Sequence, residues 1–348
     1  MKKFFQIIIL TSSIAFAQAQ NAQTDVTINI PDPNFLKALI GNKIDINNNG
    51  SIQFSEATSV LRLDVNNKNI SSLKGIEFFN SLTYLNCGQN NLSSLDMGDK
   101  PKLDTLYCAS NVLTYLNVTK CPKLTSLFFS INNLTTIDLS GNPKLKEIYG
   151  DLNKIQTLDL SLNKELEIVI MENNKLQFVN LTDSRKLTAV NFNGNYLSTL
   201  DLTVNKKLEF LIVNNNNFTN LDLSSLKSLQ HGYMLGNPIK AICIPSGFDT
   251  SLLAVDNKPK VNFTLCNTIT GVAELLVEPS RQFYPNPATN VIFIDKSING
   301  VKIYNLQGEL IDVTSNKSID ISFLPKGVFL VEMEDISGKI SKTKFIKE

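Results

Sequence analysis

One repeating pattern governs most of the chain. Segments with leucines at matching places follow one another at intervals of 21 residues, beginning at Leu82, Leu103, Leu124, Leu145, Leu166, Leu187, Leu208 and Leu229. The ninth residue of each segment is asparagine: Asn90, Asn111, Asn132, Asn153, Asn174, Asn195, Asn216 and Asn237. A fixed period of this size is typical of a repeat architecture. The chain is therefore predicted to form a solenoid in which each segment is one turn.

The spacing within a segment predicts a strand followed by a bend. Leu106 and Cys108 point inward and Tyr107 points outward, which is the period-two signature of a short strand. Stacked turns place these strands side by side in a parallel sheet, about 4.8 Å apart. One turn cannot bury its own apolar positions, so neighbouring turns close a continuous core. Because an asparagine amide both donates and accepts hydrogen bonds, the eight asparagines are predicted to form an internal ladder at the bends.

The pattern L-x-x-L-x-L-x-x-N-x-L resembles that of the leucine-rich repeat family over residues 60–266. The resemblance implies a horseshoe or arc of about nine turns with a C-terminal cap. Its concave face would carry the parallel sheet, and short irregular or extended segments would form the convex side.

The first 19 residues read as a cleaved signal peptide. Lys2 and Lys3 precede an apolar run from residue 4 to residue 16, and Ala17-Gln18-Ala19 supplies a small-residue cleavage site. The alternative is a transmembrane anchor, but polar residues interrupt the run. No later segment reaches the roughly 18 apolar residues of a membrane span. The sequence therefore predicts an exported protein without a transmembrane segment.

Residues 20–59 are predicted to cap the first turn. Asp32 and Pro33 form a plausible helix start, with the helix ending near Gly41. Residues 45–56 then fit D-x-N-x-N-G-x5-E, the spacing of a calcium-binding EF-hand loop. The predicted ligands are Asp45, Asn47, Asn49, Ser51 and Glu56.

Calcium is the one cofactor that the sequence suggests. Only two of the five predicted ligands carry a full charge, which favours weak extracellular binding with a Kd of about 10⁻⁴ to 10⁻³ M. The alternative comes from resemblance. The surface leucine-rich repeat proteins called internalins begin with a similar EF-hand-like cap that covers the first turn without metal.

The five cysteines fall into two groups. Cys243 and Cys266 bracket the end of the repeats, and in an exported protein a disulfide between them would close the solenoid. Cys87 and Cys108 occupy the same inward position of successive turns. They are predicted to be buried thiols, because parallel neighbours pointing the same way fit disulfide geometry poorly. No role is assigned to Cys121.

Residues 267–280 are predicted to be a linker, and residues 281–348 lose the 21-residue period. Short alternating segments with turn residues between them predict a small β-sandwich. The sequences at residues 283–288, 301–308, 324–329 and 344–347 resemble those of the C-terminal sorting domain of the type IX secretion system. The resemblance implies handling by that machinery and passage across the outer membrane. Release or surface attachment would follow. An ordinary adhesive sandwich module is the alternative.

No catalytic site is predicted. The chain has one histidine, His231, no tryptophan, and no phosphate-binding, zinc or nucleophile-elbow motif. Asp151 and Glu172 lie on adjacent turns, but nothing in the sequence supplies the pocket or the raised pKa that a catalytic pair needs. A net charge of +1 without a basic run argues against nucleic-acid or anionic-membrane partners.

The outward strand positions are predicted to form the ligand-binding surface on the concave face. The selected residues are Tyr84, Tyr107, Phe128, Tyr149, Ile170, Phe210, Ile212, His231 and Tyr233. Their main column spans roughly 34 Å at the strand spacing of a sheet. A contiguous exposed apolar stripe marks an interaction site. The alternative is a ladder that only stabilises neighbouring strands through cross-strand contacts.

These features together predict a secreted or surface-attached recognition and adhesion protein that binds a protein ligand outside the cell. The first alternative is a glycan-binding adhesion module, because tyrosine and asparagine beside apolar groups also suit sugar rings. The second alternative is a passive component of a surface layer.

Overall fold

The computed structural model describes residues 25–265, 283–284, 288, 291–294, 298–304, 310–316, 318–325, 327–336, 338 and 340–347. The predicted signal peptide and linker lie outside these residues. The chain divides into two compact units, residues 1–268 and residues 269–348. Each unit is described by itself.

The first unit opens with a helix at Pro33–Gly41, as the sequence predicts. The side chain of Asp32 accepts hydrogen bonds from the backbone N–H groups of Asn34 and Phe35, and proline occupies the first turn, where no intrahelical donor is needed. A second helix spans Phe54–Ser59. Three short 3₁₀ helices lie at Ile76–Phe78, Thr250–Leu252 and Lys258–Lys260.

Ten short parallel strands form the main sheet of the solenoid, called the long sheet here. In order they are Arg62–Asp64, Tyr84–Asn86, Thr105–Tyr107, Ser126–Phe128, Glu147–Tyr149, Ile168–Ile170, Ala189–Asn191, Phe210–Ile212, His231–Tyr233 and Leu253–Ala254. From Tyr84–Asn86 to the last strand, residues pair with partners 21 positions away. The middle residue of each three-residue strand is buried and its two neighbours are not. The predicted solenoid with a parallel sheet is confirmed.

Three smaller parallel sheets form the other side of the turns. Their strands are Ser94–Asp96 with Tyr115–Asn117, Thr157–Asp159 with Phe178–Asn180, and Asn220–Asp222 with Ala241–Ile244 and Asn262–Leu265. In seven successive turns an aspartate or asparagine then accepts the N–H two residues ahead, as Asp159 does from Ser161 and Asp222 from Ser224. Such Asx turns bend the chain back toward the next strand of the long sheet.

The apolar residues of all turns pack into one core between these two sides. In the turn that begins at Leu103, the buried residues are Leu103, Leu106, Cys108, Leu113, Leu116 and Val118. Cys87 and Cys108 are buried free thiols, and Cys121 is a third. Burial raises the pKa of the Cys87 and Cys121 thiols to about 12, so these side chains stay neutral and pack as apolar groups.

The eight repeat asparagines are buried and join successive turns. Asn132 is representative: its amide nitrogen donates to the carbonyls of Phe129 and, in the preceding turn, Cys108, at 3.0 and 3.1 Å. Its Oδ1 accepts the N–H of Leu113 at 2.9 Å. From Asn90 to Asn237 the same contacts repeat, which satisfies backbone groups that have no partner in either sheet.

A second column of buried residues, all polar except Cys121, was not predicted from the sequence. Its members lie 21 residues apart beside the outer strands. It holds Lys100, Cys121, Asn142, Asn163, Ser184 and Asn205. Asn142 donates to the carbonyls of Val118 and Cys121. The Lys100 ammonium donates to the carbonyls of Glu77 and Asp99, and burial lowers the pKa of Lys100 despite the opposing effect of nearby Cys121 and Glu77.

The second unit is a small sandwich of two antiparallel sheets, as predicted. One sheet holds Phe283–Tyr284, Val291–Ile294 and Ser318–Asp320, and the other holds Leu310–Thr314, Ile298–Tyr304, Gly327–Asp335 and Ile340–Lys347. Alternating side chains such as Val301 and Ile303 point into a separate core. Within it the rings of Phe329 and Phe345 stack at 5.3 Å.

Candidate ligand-binding surface

Three outward columns of side chains run across the long sheet. The first and third residues of each strand supply two columns, and the second residue after the strand supplies the third, since the positions between them point into the core. Because the strands pair without offset, equivalent side chains of neighbouring turns lie next to each other. Residues that are 21 positions apart in the sequence therefore form straight columns across the long sheet.

Four of the predicted site residues form one continuous stack of rings. Tyr84 lies 5.8 Å from Tyr107, between ring centroids, at an angle of 51°. Tyr107 and Phe128 are 4.1 Å apart and within 7° of parallel, and Phe128 and Tyr149 are 4.8 Å apart and within 10°. The ring of Phe128 is thus covered on both faces, and that of Tyr107 is covered on one face and meets a tilted Tyr84 ring on the other side. The stack presents ring edges, rather than open faces, to an incoming ligand.

The remaining predicted residues lie further along the sheet. Phe210 and His231 stack at 5.1 Å, and His231 lies 6.3 Å from Tyr233. Ile170 and Ile212 occupy the third strand position and are separated by the polar Asn191. The predicted stripe is therefore two aromatic clusters on one sheet, joined by aliphatic and amide side chains.

Charged groups adjoin both ends of the four-ring stack. The guanidinium of Arg62 lies 4.0 Å from the centroid of the Tyr84 ring, a cation–π contact. Burial and the neighbouring Glu147 carboxylate raise the pKa of the Tyr149 hydroxyl. Burial also raises the pKa of Asp151, and nearby Glu172 acts in the same direction, partly offset by hydrogen bonds to Asp151. The Tyr149 end of the stack is thus acidic.

Two exposed apolar residues next to the stack were not predicted as site residues. Ile131 and Leu152 lie at the bends that follow the strands of Phe128 and Tyr149, and both have positive φ angles. They are 51% and 50% exposed. The sequence did contain a signal for them. The eighth residue of most segments is asparagine, glutamine, serine or glycine, and Ile131 and Leu152 depart from this rule.

The predicted calcium loop is closed by hydrogen bonds within the loop. One oxygen of Glu56 accepts the N–H of Ile46 at 2.8 Å, and the other accepts the N–H of Gln53 at 2.9 Å. The two oxygens of Asp45 accept the N–H groups of Asn49 and Gly50. Both oxygens of the Glu56 carboxylate thus satisfy backbone N–H groups, which is how a metal-free cap would be held. Calcium binding stays a prediction.

The amide oxygens of the remaining predicted side-chain ligands also accept N–H groups. Asn47 accepts the N–H of Asn49, and Asn49 accepts the N–H of Ser51. These bonds hold the loop in a fixed shape without any contribution from the hydroxyl of Ser51, whose predicted ligand atom is the carbonyl oxygen.

Replacing Glu56 with glutamine is expected to destabilise the cap by about 1–2 kcal/mol, because an amide NH₂ would face a buried N–H that the carboxylate now satisfies. Thermal unfolding with chelator and with a few millimolar calcium would measure it. We expect the same loss in both conditions and unchanged melting of the wild type and of Ser51→Ala, the control. A calcium-dependent rise confined to proteins with Glu56 would instead establish a metal site.

At the far end of the solenoid, Cys243 is disulfide-bonded. Its predicted partner, Cys266, lies outside the described residues. One turn beyond Asn237, the ladder position is occupied by Lys258, whose ammonium donates to the carbonyls of Thr250 and Leu253. The last bend is therefore held by a lysine in place of an asparagine.

Among the described residues, no helix has the length and apolar composition needed to cross a bilayer. No curated protein matches the chain.

Solved structures from Listeria monocytogenes resemble the chain at low sequence identity. InlP is 17% identical, with 91% of this chain and 96% of that chain covered and a TM-score of 0.52, which shows a shared fold alone. The functional domain of InlJ, described as including a cysteine ladder, is 19% identical, with 93% and 100% covered and a TM-score of 0.49. Internalin C2 is 21% identical, with 67% and 94% covered and a TM-score of 0.45.

Residues 282–348 match the family described as the secretion system C-terminal sorting domain. This match covers the sandwich of the second unit and begins one residue after the predicted start of that domain. The first unit thus shares the leucine-rich repeat fold of InlP, residues 282–348 form a type IX sorting domain, and the protein is secreted to the extracellular space or the cell surface.

Proposed function

We propose that the protein is an extracellular recognition and adhesion protein whose long sheet binds a protein ligand. The observation that carries the proposal is the continuous stack of Tyr84, Tyr107, Phe128 and Tyr149, which lies on the outward side of the sheet. Aromatic side chains are enriched in protein interfaces because they bring a large apolar area with few rotatable bonds.

The ring geometry favours a protein over a glycan as the ligand. A sugar stacks on an open aromatic face, whereas Phe128 is covered on both faces by Tyr107 and Tyr149, at 4.1 and 4.8 Å, and each of these two tyrosines is covered on the face toward Phe128. Ring edges carry partial positive charge and make edge-to-face contacts with other aromatic rings. Backbone carbonyls and aromatic side chains of a protein provide such partners.

The carboxylates on adjacent turns support recognition rather than catalysis. Asp151 accepts hydrogen bonds from Ser130 and from the N–H of Glu172. The two oxygens of Glu172 accept the side-chain amides of Asn193 and Asn191. A general base needs a carboxylate that is free to take a proton from a substrate. These carboxylates instead brace neighbouring turns.

Substituting Tyr107→Ala together with Tyr149→Ala is expected to weaken ligand binding at least about tenfold, since truncating central aromatic contacts costs upwards of 1–2 kcal/mol each. The purified secreted protein would be probed on a combined protein and glycan array, and hits would be quantified by surface plasmon resonance. The matched control is Tyr115→Ala with Phe178→Ala, which removes two exposed rings from the outer strands.

Protein hits that disappear only in the first double variant would support the proposal. Hits confined to glycans would favour the glycan-binding alternative. An array profile that neither double variant changes would favour the passive surface-layer alternative.

A further inference from the structure

We propose that the ligand surface extends from the long sheet onto the bends at Ile131 and Leu152, and that its partner is a protein segment carrying both apolar and basic side chains. This inference rests on the proposed function and names the chemistry of the ligand. Three independent features of the described residues lead to it.

The first feature is the backbone conformation at the bends. One residue per turn adopts a positive φ angle there: Asn67, Gln89, Ser110, Ile131, Leu152, Asn173, Gly194, Asn215, Gly236 and Asn257. The left-handed region brings Cβ too close to the following carbonyl oxygen, and it is least tolerated by β-branched side chains. Eight turns meet this demand with polar residues or glycine. Only the bends after Phe128 and Tyr149 use large apolar side chains.

The second feature is that the side chains of these two residues are not buried in the core. Ile131 is 51% exposed and Leu152 is 50% exposed, and Val112, at the preceding bend, is 48% exposed. A strained conformation combined with exposed apolar surface gives the folded chain no benefit by itself. Strain of this kind is retained where it serves a function. Here it enlarges the apolar surface after the strands that carry Phe128 and Tyr149.

The third feature is the charge of the three outward columns. Over the ten turns they hold five acidic residues and one basic residue, a net charge of −4, whereas the whole chain carries +1. The acidic residues are Asp64, Glu147, Asp151, Glu172 and Asp256. The basic residue, Arg62, already lies over the ring of Tyr84.

The acidic residues nearest to Leu152 are not neutralised. Within the described part of the chain, Glu147, Asp151 and Glu172 form no ion pair, and their hydrogen-bond donors are uncharged groups such as the Ser126 hydroxyl and the Asn193 amide. A surface of this sign attracts a basic partner over a distance of several ångströms and repels an acidic one. The partner therefore presents lysine or arginine beside its apolar residues.

The test uses the full secreted chain and three fluorescein-labelled peptides. The first repeats Arg-Ser-Phe-Ser, the second replaces arginine with glutamate, and the third replaces phenylalanine with serine. Fluorescence anisotropy would give the affinities at about 0.05 and 0.3 M NaCl, since exposed charges are screened more strongly at the higher ionic strength. We expect the first peptide to bind at least about tenfold more tightly than either of the others and to weaken with salt.

The decisive variant is Ile131→Asn with Leu152→Asn, because asparagine occupies the same left-handed position at Asn67, Asn173 and Asn215. We expect its affinity for the first peptide to fall about tenfold. Relief of strain should at the same time raise the melting temperature by roughly 2–4 °C. The control, Leu162→Asn, replaces another half-exposed leucine and should leave the affinity unchanged.

Equal affinities for the arginine and glutamate peptides would overturn the inference, as would wild-type binding by the asparagine double variant. If either occurred while array hits were still lost on Tyr107→Ala with Tyr149→Ala, only the partner chemistry would be wrong. If the peptide results failed and the array hits were also unchanged in Tyr107→Ala with Tyr149→Ala, the proposed function would be overturned as well.

Discussion

The variant Asn153→Leu is expected to lower the free energy of unfolding of the solenoid by about 3 kcal/mol. Asn153 is 7% exposed, and its amide nitrogen donates to the carbonyls of Gly150 and, one turn earlier, Phe129. Its Oδ1 accepts the N–H of Leu134. Leucine has a similar volume but leaves the inter-turn N–H and carbonyl without partners. Each buried orphan costs about 1–3 kcal/mol.

Denaturant unfolding followed by circular dichroism would measure the loss. The matched control is Asn133→Leu, at a half-buried position one turn earlier, and it should stay within about 0.5 kcal/mol of the wild type. Two coincident unfolding curves for Asn153→Leu and the control would show that the ladder does not stabilise the turns.

The variant Asp32→Ala is expected to cost about 3 kcal/mol at neutral pH and progressively less in acid. Besides capping the first helix, Asp32 accepts the N–H groups of Ser71 and Ser72 at 2.7 and 2.9 Å. One carboxylate thus joins the cap to the first turn with four hydrogen bonds. Charge-assisted bonds of this kind are stronger than neutral ones, so losing all four exceeds the usual loss of a helix cap.

The pH dependence follows from the pKa of Asp32. Burial alone would raise this pKa, but the N–H groups of Ser71, Phe35, Ser72 and Asn34 lower it below the ordinary value of 3.8. A depressed pKa means that the stabilisation is complete above about pH 4 and is lost as the pH falls through the folded-state pKa. The difference between wild type and Asp32→Ala should therefore narrow only below about pH 4.

Melting temperatures between about pH 2 and pH 7 would test this dependence. Asp32→Asn keeps one acceptor oxygen and should fall between the other two proteins at neutral pH. Asp138→Ala removes an exposed Asx-turn carboxylate and serves as the control. A wild-type advantage of constant size across the whole range would contradict the assignment.

The sequence predicts the solenoid well because a single rule repeats in it. Inward leucines and outward polar or aromatic residues alternate at fixed places, so one correct register for Leu106 and Tyr107 fixes every later turn. The helix at Pro33–Gly41 is predicted equally well, since its cap and its first-turn proline are local signals.

Features that depend on three-dimensional geometry were harder to predict from the sequence. The column containing Asn142, Asn163 and Asn205 has the same 21-residue period as the main ladder, but Lys100, Cys121 and Ser184 interrupt its residue type. The EF-hand spacing of residues 45–56 identifies which oxygens are present. It does not show that backbone N–H groups donate hydrogen bonds to both oxygens of the Glu56 carboxylate.

The ring stack was predicted as a stripe without its orientation. Sequence spacing places Tyr107 and Phe128 on neighbouring strands, but the 7° angle between their rings depends on side-chain rotamers. Because the two rings are nearly parallel, the faces that they turn toward each other are not exposed. The backbone strain at Ile131 could not be predicted either, because the residue type alone does not determine the φ angle.

The side-chain amides of the asparagine ladder all point the same way along the solenoid, which suits assembly from the amino-terminal end. Each amide reaches back to the preceding turn and none of the eight reaches forward: Asn111 contacts the carbonyl of Cys87, and Asn237 contacts that of Val213. A turn is therefore completed only when the asparagine of the next turn arrives. A chain that emerges from its amino terminus can build on the capped first turn, with each finished turn serving as the template for the next.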